Sequence, residues 1–360
     1  MNSISKLCDA ADFFDPEVNE IIQNDLREPS RLHRKQWEFA MIFLALRRLG
    51  MIRSDKVGLS LGGGTERLMY ALAFNTKHMT VTDLYDPNTT WDCARTDNPD
   101  AFVRTQRPFE VDDSKYHALR MDMRSLDFSD RSFDFCYSSC AIEHIGDDAD
   151  FIKHFNEVAR VLRDDGMYVL TTEVSYLKET IKDPNNYVFS PDYLADLIGE
   201  SNLEPWFDCD ATLTHNRANA PTPWDVIQIA VDNGSGATKR LMESIPHITL
   251  LRGHYPFGSG LLVLRKKNAS RKPRRLSFIG LEDLDEFMRG AIHDYQEAVG
   301  SSGISNTPFS ELAARKLPLY RTLATRFAQI AQLKQVSQLN SDIRPSVESM
   351  SGDLKEEASH

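Results

Sequence analysis

The chain has 360 residues, 41% hydrophobic and 26% charged, the balance of a soluble globular protein with one large core or two modest ones. Its formal net charge is −11, from 42 Lys and Arg against 53 Asp and Glu. That argues against a general nucleic-acid binder, which needs a basic face to displace counterions from phosphates.

The amino terminus lacks a basic stretch followed by an apolar one, so no secretory signal is expected. No apolar run approaches the roughly 20 residues of a membrane span. The five cysteines, Cys8, Cys93, Cys136, Cys140 and Cys209, are scattered and unpaired in spacing. Neither a disulfide framework nor a zinc site is expected, and the profile is cytoplasmic.

The first thirty residues are polar with few period signals. From Arg31 to Gly50 the spacing of Phe39, Ile42, Phe43, Leu46 and Leu49 predicts a helix, with Arg47 and Arg48 in its last turn. Short apolar strands and amphipathic helices then alternate: strand Val57–Leu61, helix Glu66–Phe74, strand Met79–Thr82, strand Ala118–Met121 and strand Phe133–Ser138. A long insertion containing Trp91 lies between Asp83 and Asp122 and reads either as a surface insertion, the favoured reading, or as a cap over the cofactor. Phe151, Phe155, Val158 and Leu162 mark one helix face, which Asp164-Asp165-Gly166 is expected to break before the strand MYVLTTEV. A helix follows Ser190 and Pro191, and Gly260–Lys266 is the last strand.

That alternation predicts an α/β domain over residues 31–267, a doubly wound, mainly parallel sheet with helices on both faces. Residues 1–30 form a polar segment before it. Beyond it come a basic linker, RKKNASRKPRR, and two helical segments over 268–340, the second marked by Tyr320, Leu323, Phe327 and Ile330. Residues 341–360 read as a disordered tail. The helices of this extension are the candidate surface for self-association.

In an open parallel sheet, ligands bind beyond the carboxyl ends of the strands. Gly62-Gly63-Gly64 sits at such an end, where glycines permit positive φ and close backbone approach. A dinucleotide turn needs G-x-G-x-x-G, but here the required positions hold Arg67 or Glu66, which disfavours a pyrophosphate. A nucleoside without phosphate fits better. Asp83, about 20 residues past the turn, is placed to accept from ribose hydroxyls. Asp122, at the end of the next strand, is placed to accept from an exocyclic amine.

The stretch MDMRSLDFSDRSFDFCYSSCAIEHI resembles the third-to-fourth-strand region of class I S-adenosylmethionine-dependent methyltransferases, in particular the small-molecule, methyltransferase-11-like group. Asp122, Leu126, Phe128, Asp130, Ser132, Phe133 and Asp134 match the group's D-x-x-x-L-x-F-x-D-x-S-F-D, and Ile142-Glu143-His144-Ile145 stands for its L-E-H-I. NEVARVLRDDGMYVLTTE resembles the helix and strand that follow. The resemblance covers roughly Val57 to Glu173. It implies a Rossmann-like fold and S-adenosyl-L-methionine as cofactor.

By this resemblance Gly62, Gly63 and Gly64 approach the cofactor, Asp83 holds its ribose and Asp122 lies by the adenine, and Leu84, Met123 and Ser139 are further cofactor-binding candidates. Two departures stand out. The family's acid before the turn is Ser60 here, and its later glycine is Glu66, which stands to supply the missing carboxylate at the methionine amino group.

Methyl transfer to a hydroxyl also needs a base of near-neutral pKa, for which His144 is the candidate, with Glu143 beside it. Glu173, at the end of the next strand, is the candidate acceptor contact. Asp147, Asp148 and Asp150 read as helix-dipole partners, not metal ligands. His254 and Tyr255 read as structural. No metal, nucleic acid or membrane is expected as a partner. The acceptor is expected to be a small molecule: a hydroxyl of a sugar, glycan precursor or secondary metabolite. The rival readings are an NAD(P)-dependent oxidoreductase, disfavoured by Glu66 and Arg67, and a non-catalytic protein keeping the fold.

Overall fold

The computed structural model describes residues 3–223, 246–252 and 255–300. The second predicted C-terminal helix with Tyr320, the polar tail and His254 lie outside these residues.

The sheet begins with a two-residue strand, β1 (Lys6–Leu7), and a short helix, α1 (Pro16–Glu20), precedes the long helix α2 (Arg34–Arg48). The core alternation follows: β2 (Val57–Leu61), α3 (Arg67–Asn75), β3 (His78–Asp83), α4 (Pro99–Thr105), β4 (Tyr116–Arg120), β5 (Phe133–Ser139), α5 (Asp148–Val161) and β6 (Leu162–Ser175). Next come a hairpin of β7 (Ile181–Asp183) and β8 (Asn186–Val188), then α6 (Pro191–Glu200), β9 (Leu203–Pro205), β10 (Cys209–Asp210) and β11 (Thr222–Pro223). The last described elements are β12 (Leu250–Arg252), β13 (Tyr255–Lys266), β14 (Phe278–Ile279) and α7 (Leu281–Gly300).

The main path of the sheet runs β14-β10-β1-β13-β6-β5-β2-β3-β4. From β6 to β4 every pairing is parallel, as the alternation requires. The predicted last strand is longer than Gly260–Lys266 and runs antiparallel, Phe257 pairing Ser175 and Arg265 pairing Met167.

Two boundaries differ from the sequence reading. The long helix starts at Arg34, behind His33, whose Nδ1 accepts from the Lys35 N–H. The turn predicted at Asp164-Asp165-Gly166 lies inside β6, because the helix already ends at Val161; the irregularity appears as a shift in register between Phe133 and Phe135 on β5. The Asp147 carboxylate caps α5 in a capping box with Asp150, so these acids serve the helix start as expected.

Two layers of apolar side chains flank the sheet. One gathers α2, α3 and the N-terminal segment, including Trp37, Phe43, Leu68 and Tyr70; the other gathers α5 and α6, including Phe151, Phe155 and Leu194. Burial of each such large side chain stabilises by about 1.5–3 kcal/mol. The polar-looking N-terminal segment contributes Cys8, Ala10, Phe13, Val18, Ile21 and Ile22 to the first layer. Its Asp12 accepts from Trp37 Nε1 at 2.7 Å and pairs with Lys6 at 2.6 Å, which fixes α2 to β1. The basic linker is also committed: Arg265 pairs with Glu204, Arg274 with Asp208 and Arg275 with Asp196. On α7, Leu284 and Met288 pack against Leu7, Val174 and Tyr176, so this apolar face is covered by the chain's own core.

Candidate functional site

The carboxyl ends of β2, β3, β5 and β6 deliver the candidate residues to one end of the sheet. The turn after β2 is held by the neighbouring strand: the Gly62 N–H donates to the Thr82 carbonyl at 2.8 Å and the Gly63 N–H to the same oxygen at 3.2 Å. Gly62 and Gly64 have φ of +68° and +45°, which strains any other residue. A Cβ on Gly62 would stand 2.7 Å from the Ala141 Cβ, one on Gly63 2.0 Å from Ser60 Oγ, and one on Gly64 2.8 Å from the Cys93 carbonyl oxygen. The turn is therefore a bare backbone cradle.

Asp83 ends β3 beside it. Its Oδ2 accepts from the Gly64 N–H at 3.0 Å and its Oδ1 from the Leu84 N–H at 2.7 Å. Burial raises its pKa, and these backbone donors oppose the rise. The Leu84 side chain is exposed, and the Tyr85 hydroxyl donates to the Gly64 carbonyl. One acid thus ties the glycine turn to the end of the next strand.

Asp122 is bound by Arg124, whose Nε and guanidinium nitrogen lie 2.7–3.1 Å from its two oxygens; this contact depresses its pKa. Met123 lies over Gly62, its Cε 2.9 Å from where a Cβ would stand. The Met123 carbonyl accepts from His154 Nδ1 at 3.1 Å, and His154 Nε2 accepts from the Tyr168 hydroxyl at 2.9 Å. Burial pushes His154 down to about 4, so the ring is neutral and can make both bonds.

His144 follows β5, and its Nδ1 lies 2.7 Å from the Asn185 carbonyl, which can only accept. Nδ1 is therefore the donor in this contact. The Trp91 ring stands 5.1 Å from the His144 ring, centroid to centroid, with more than half its surface exposed. With Cys93 against Gly64, the insertion reaches both the glycine turn and His144. Glu143 is buried and points elsewhere, accepting from Thr172 Oγ1 at 3.0 Å; burial raises its pKa.

The sequence reading missed the contribution of α2. Arg34 reaches Glu173 at 2.6 Å, Glu38 at 3.3 Å and Ser259 Oγ at 3.1 Å. Lys35 reaches Glu38 at 2.9 Å, Glu66 at 3.5 Å and the Ser139 carbonyl at 3.1 Å. Ser139 Oγ donates to Glu38, and Asn186 Nδ2 donates to Glu173 at 3.2 Å. Burial would raise Glu38, yet Lys35 and Arg34 hold it down at about 2. Glu66 is the opposite case: burial pushes it up to about 8, with Lys35 only partly opposing. A polar triplet at positions 34, 35 and 38 of a helix reads as a solvated stripe. No spacing rule shows that it faces the end of a sheet.

Among known proteins, residues 59–170 match the family model described as "Methyltransferase domain". A search of curated proteins gives no match. Similar solved structures include the YcgJ protein from Bacillus subtilis, at 17% identity and TM-score 0.42, covering 63% of this chain and 98% of that one. Another is geranyl diphosphate C-methyltransferase from Streptomyces coelicolor, solved with Mg2+, geranyl diphosphate and S-adenosyl-L-homocysteine. It is 16% identical with TM-score 0.43, covering 73% of this chain and 90% of that one. The parallel strands and the backbone cradle at the end of β2 thus lie in the segment that matches the methyltransferase-domain model.

Proposed function

We propose that the chain transfers a methyl group from S-adenosyl-L-methionine to a small-molecule acceptor, most readily a hydroxyl of a sugar, glycan precursor or secondary metabolite. The observation that carries the reading is the glycine turn joined to Asp83. Gly62 and Gly64 hold positive φ, all three glycines lack room for a Cβ, and Asp83 binds Gly64 and Leu84 through different oxygens. This fits a nucleoside: the bare backbone admits close approach, and the lone pairs left on the Asp83 oxygens suit the ribose hydroxyls. Leu84 and Met123 supply the apolar flank of the adenine, with Asp122 at its edge.

When bound, S-adenosylmethionine would supply a methyl made electrophilic by its sulfonium. The chain's residues orient the acceptor and handle its proton. His144, donating from Nδ1 to the Asn185 carbonyl, presents Nε2 to take a hydroxyl proton. Glu173, fixed by Arg34 and Asn186, supports the acceptor side. Trp91, its ring 5.1 Å from that of His144, flanks the acceptor side.

The test is calorimetric titration with S-adenosylmethionine and S-adenosylhomocysteine, with NADH as a control. Micromolar binding of the sulfur compounds, lost in Asp83→Ala, supports the reading. Binding of NADH alone overturns it.

A further inference from the structure

Three acceptor-side groups meet at the end of β6, and two of them are held by the turn of the β7–β8 hairpin. The Asn185 carbonyl accepts from His144 Nδ1, and Asn186 Nδ2 donates to Glu173 Oε2 at 3.2 Å. Glu173 Oε1 is paired with Arg34. The third group is Glu143, which shares the single helical turn Ile142–His144 with the histidine. Its carboxylate turns from the His144 ring towards β6, where Oε2 accepts from the hydroxyl of Thr172, the residue before Glu173. Successive side chains leave a strand on opposite faces, so Glu143, held at Thr172, and Glu173 flank the end of β6 from its two sides.

Glu143 is the group left incomplete. It is 1% exposed, yet its Oε1 has no hydrogen-bond partner among the described residues. The cations of the cluster, Arg34 and Lys35, pair with Glu38, Glu173 and Glu66, and none of these ion pairs reaches Glu143. Burial raises its pKa; charge on His144 opposes the rise and the Glu173 carboxylate adds to it. The Thr172 hydroxyl brings a donor but no charge. A buried carboxylate in this state costs free energy unless a ligand brings the missing donor and the missing positive charge.

The cofactor is poorly suited to bring both. Its α-ammonium is expected at Glu66, beside the glycine turn, and its sulfonium carries no hydrogen to donate. The acceptor remains. Resting on the methyltransferase reading above, we propose that the acceptor is an amino alcohol or amino sugar, its ammonium bound at Glu143 Oε1 while a neighbouring hydroxyl faces His144. A neutral hydroxyl at Glu143 would supply the donor without the charge. Held as an ammonium, the nitrogen has no lone pair, so the hydroxyl stays the nucleophile. Glu143 thus selects the acceptor by charge and keeps methylation on oxygen.

The probes are two pairs that differ only in the amine: ethanolamine against ethylene glycol, and D-glucosamine against D-glucose. Each is titrated into the full-length protein saturated with S-adenosylhomocysteine, near neutral pH, while the His144 ring signal is followed by NMR. At least one amine should give a saturable shift and bind at least about tenfold more tightly than its neutral partner, the scale of one charge-assisted hydrogen bond. Glu143→Gln should remove that preference and leave S-adenosylhomocysteine binding unchanged, which also shows that the variant is folded. Glu143→Asp, which keeps the charge, should retain part of the preference. No saturable shift with either amine, equal affinity within each pair, or a preference that survives Glu143→Gln overturns the role of Glu143 and leaves the methyltransferase reading intact. Failure of wild type to bind S-adenosylhomocysteine overturns that reading, and the assignment of Glu143 with it.

Discussion

The guanidinium of Arg34 lies 2.6 Å from the carboxylate of Glu173, joining the start of α2 to the end of β6 across 139 residues of sequence. Both side chains are largely buried, so the pair is not a screened surface contact. Removing one partner strands the other as a buried charge. Arg34→Met should therefore destabilise the fold by about 3–5 kcal/mol, with Glu173 and Glu38 both losing a cation. Arg34→Lys should cost less, because the charge remains while the forked geometry is lost. Urea unfolding midpoints read the difference. A Met variant as stable as wild type would show that the pair adds nothing to the fold.

Glu66 sets a second dependence, at neutral pH. Its carboxyl is raised by burial to about 8 in the folded protein, against an ordinary value near 4.5. Between these limits the folded chain binds more protons than the unfolded one, so stability is full below about 4.5 and falls as pH rises through about 8. Glu66→Gln removes the ionising group. In thermal unfolding without ligand from pH 5 to 8.5, the variant should hold its midpoint more nearly constant and exceed wild type at the alkaline end. Parallel curves would contradict the raised pKa.

Glu38 works in the opposite direction. Burial alone would raise it, but Lys35 and Arg34 depress it to about 2 from an ordinary 4.5. The stability it contributes is present above about 4.5 and is lost as pH falls towards 2. Glu38→Gln should lower stability at pH 7, where two buried cations lose a counter-charge, and flatten the acid limb of the stability profile. An unchanged acid limb would place the titrating group elsewhere.

The glycine turn allows a steric test that does not depend on a ligand. A Cβ at Gly63 would meet Ser60 Oγ at 2.0 Å, with Ser60 Cβ at 3.1 Å and Val81 Cγ1 at 3.2 Å. Gly63→Ala should therefore destabilise by about 1–3 kcal/mol, the usual cost of overpacking. Adding Ser60→Ala removes the nearest atom and should recover part of the loss, but not all, because the two carbons stay. Strict additivity in the double variant would mean that the clash is not with the serine hydroxyl.

The strands of the parallel half were legible because each is a short apolar run between turn residues. Val57–Leu61 matches its expected bounds, and Phe133–Ser139 is only one residue longer than expected. The long final strand was legible only in GLLVLRK; its first five residues include Pro256 and Gly258, which weaken a strand signal, and no local pattern reveals that it runs antiparallel. The N-terminal segment escaped periodicity because β1 has two residues and α1 five, too few for a period to show. At the site, positions flanking a strand end could be named from the sequence: the glycine turn, Asp83, Asp122 and Glu173. Their partners could not. Asp122 and Arg124 are neighbours in sequence, but Glu173 and Arg34 meet only through the sheet.

The position of β13 matters for how the chain is made. It is inserted between β1 and β6, elements synthesised well before it, and it carries Ser259, which contacts Arg34. Until residue 266 has left the ribosome, β6 has a neighbour on one side only. A fourteen-residue strand, most of it buried in the finished protein, then presents an open edge. Nascent chains halted before this point, and fragments cut to the family match at 170, carry that edge permanently and are the forms most prone to aggregate.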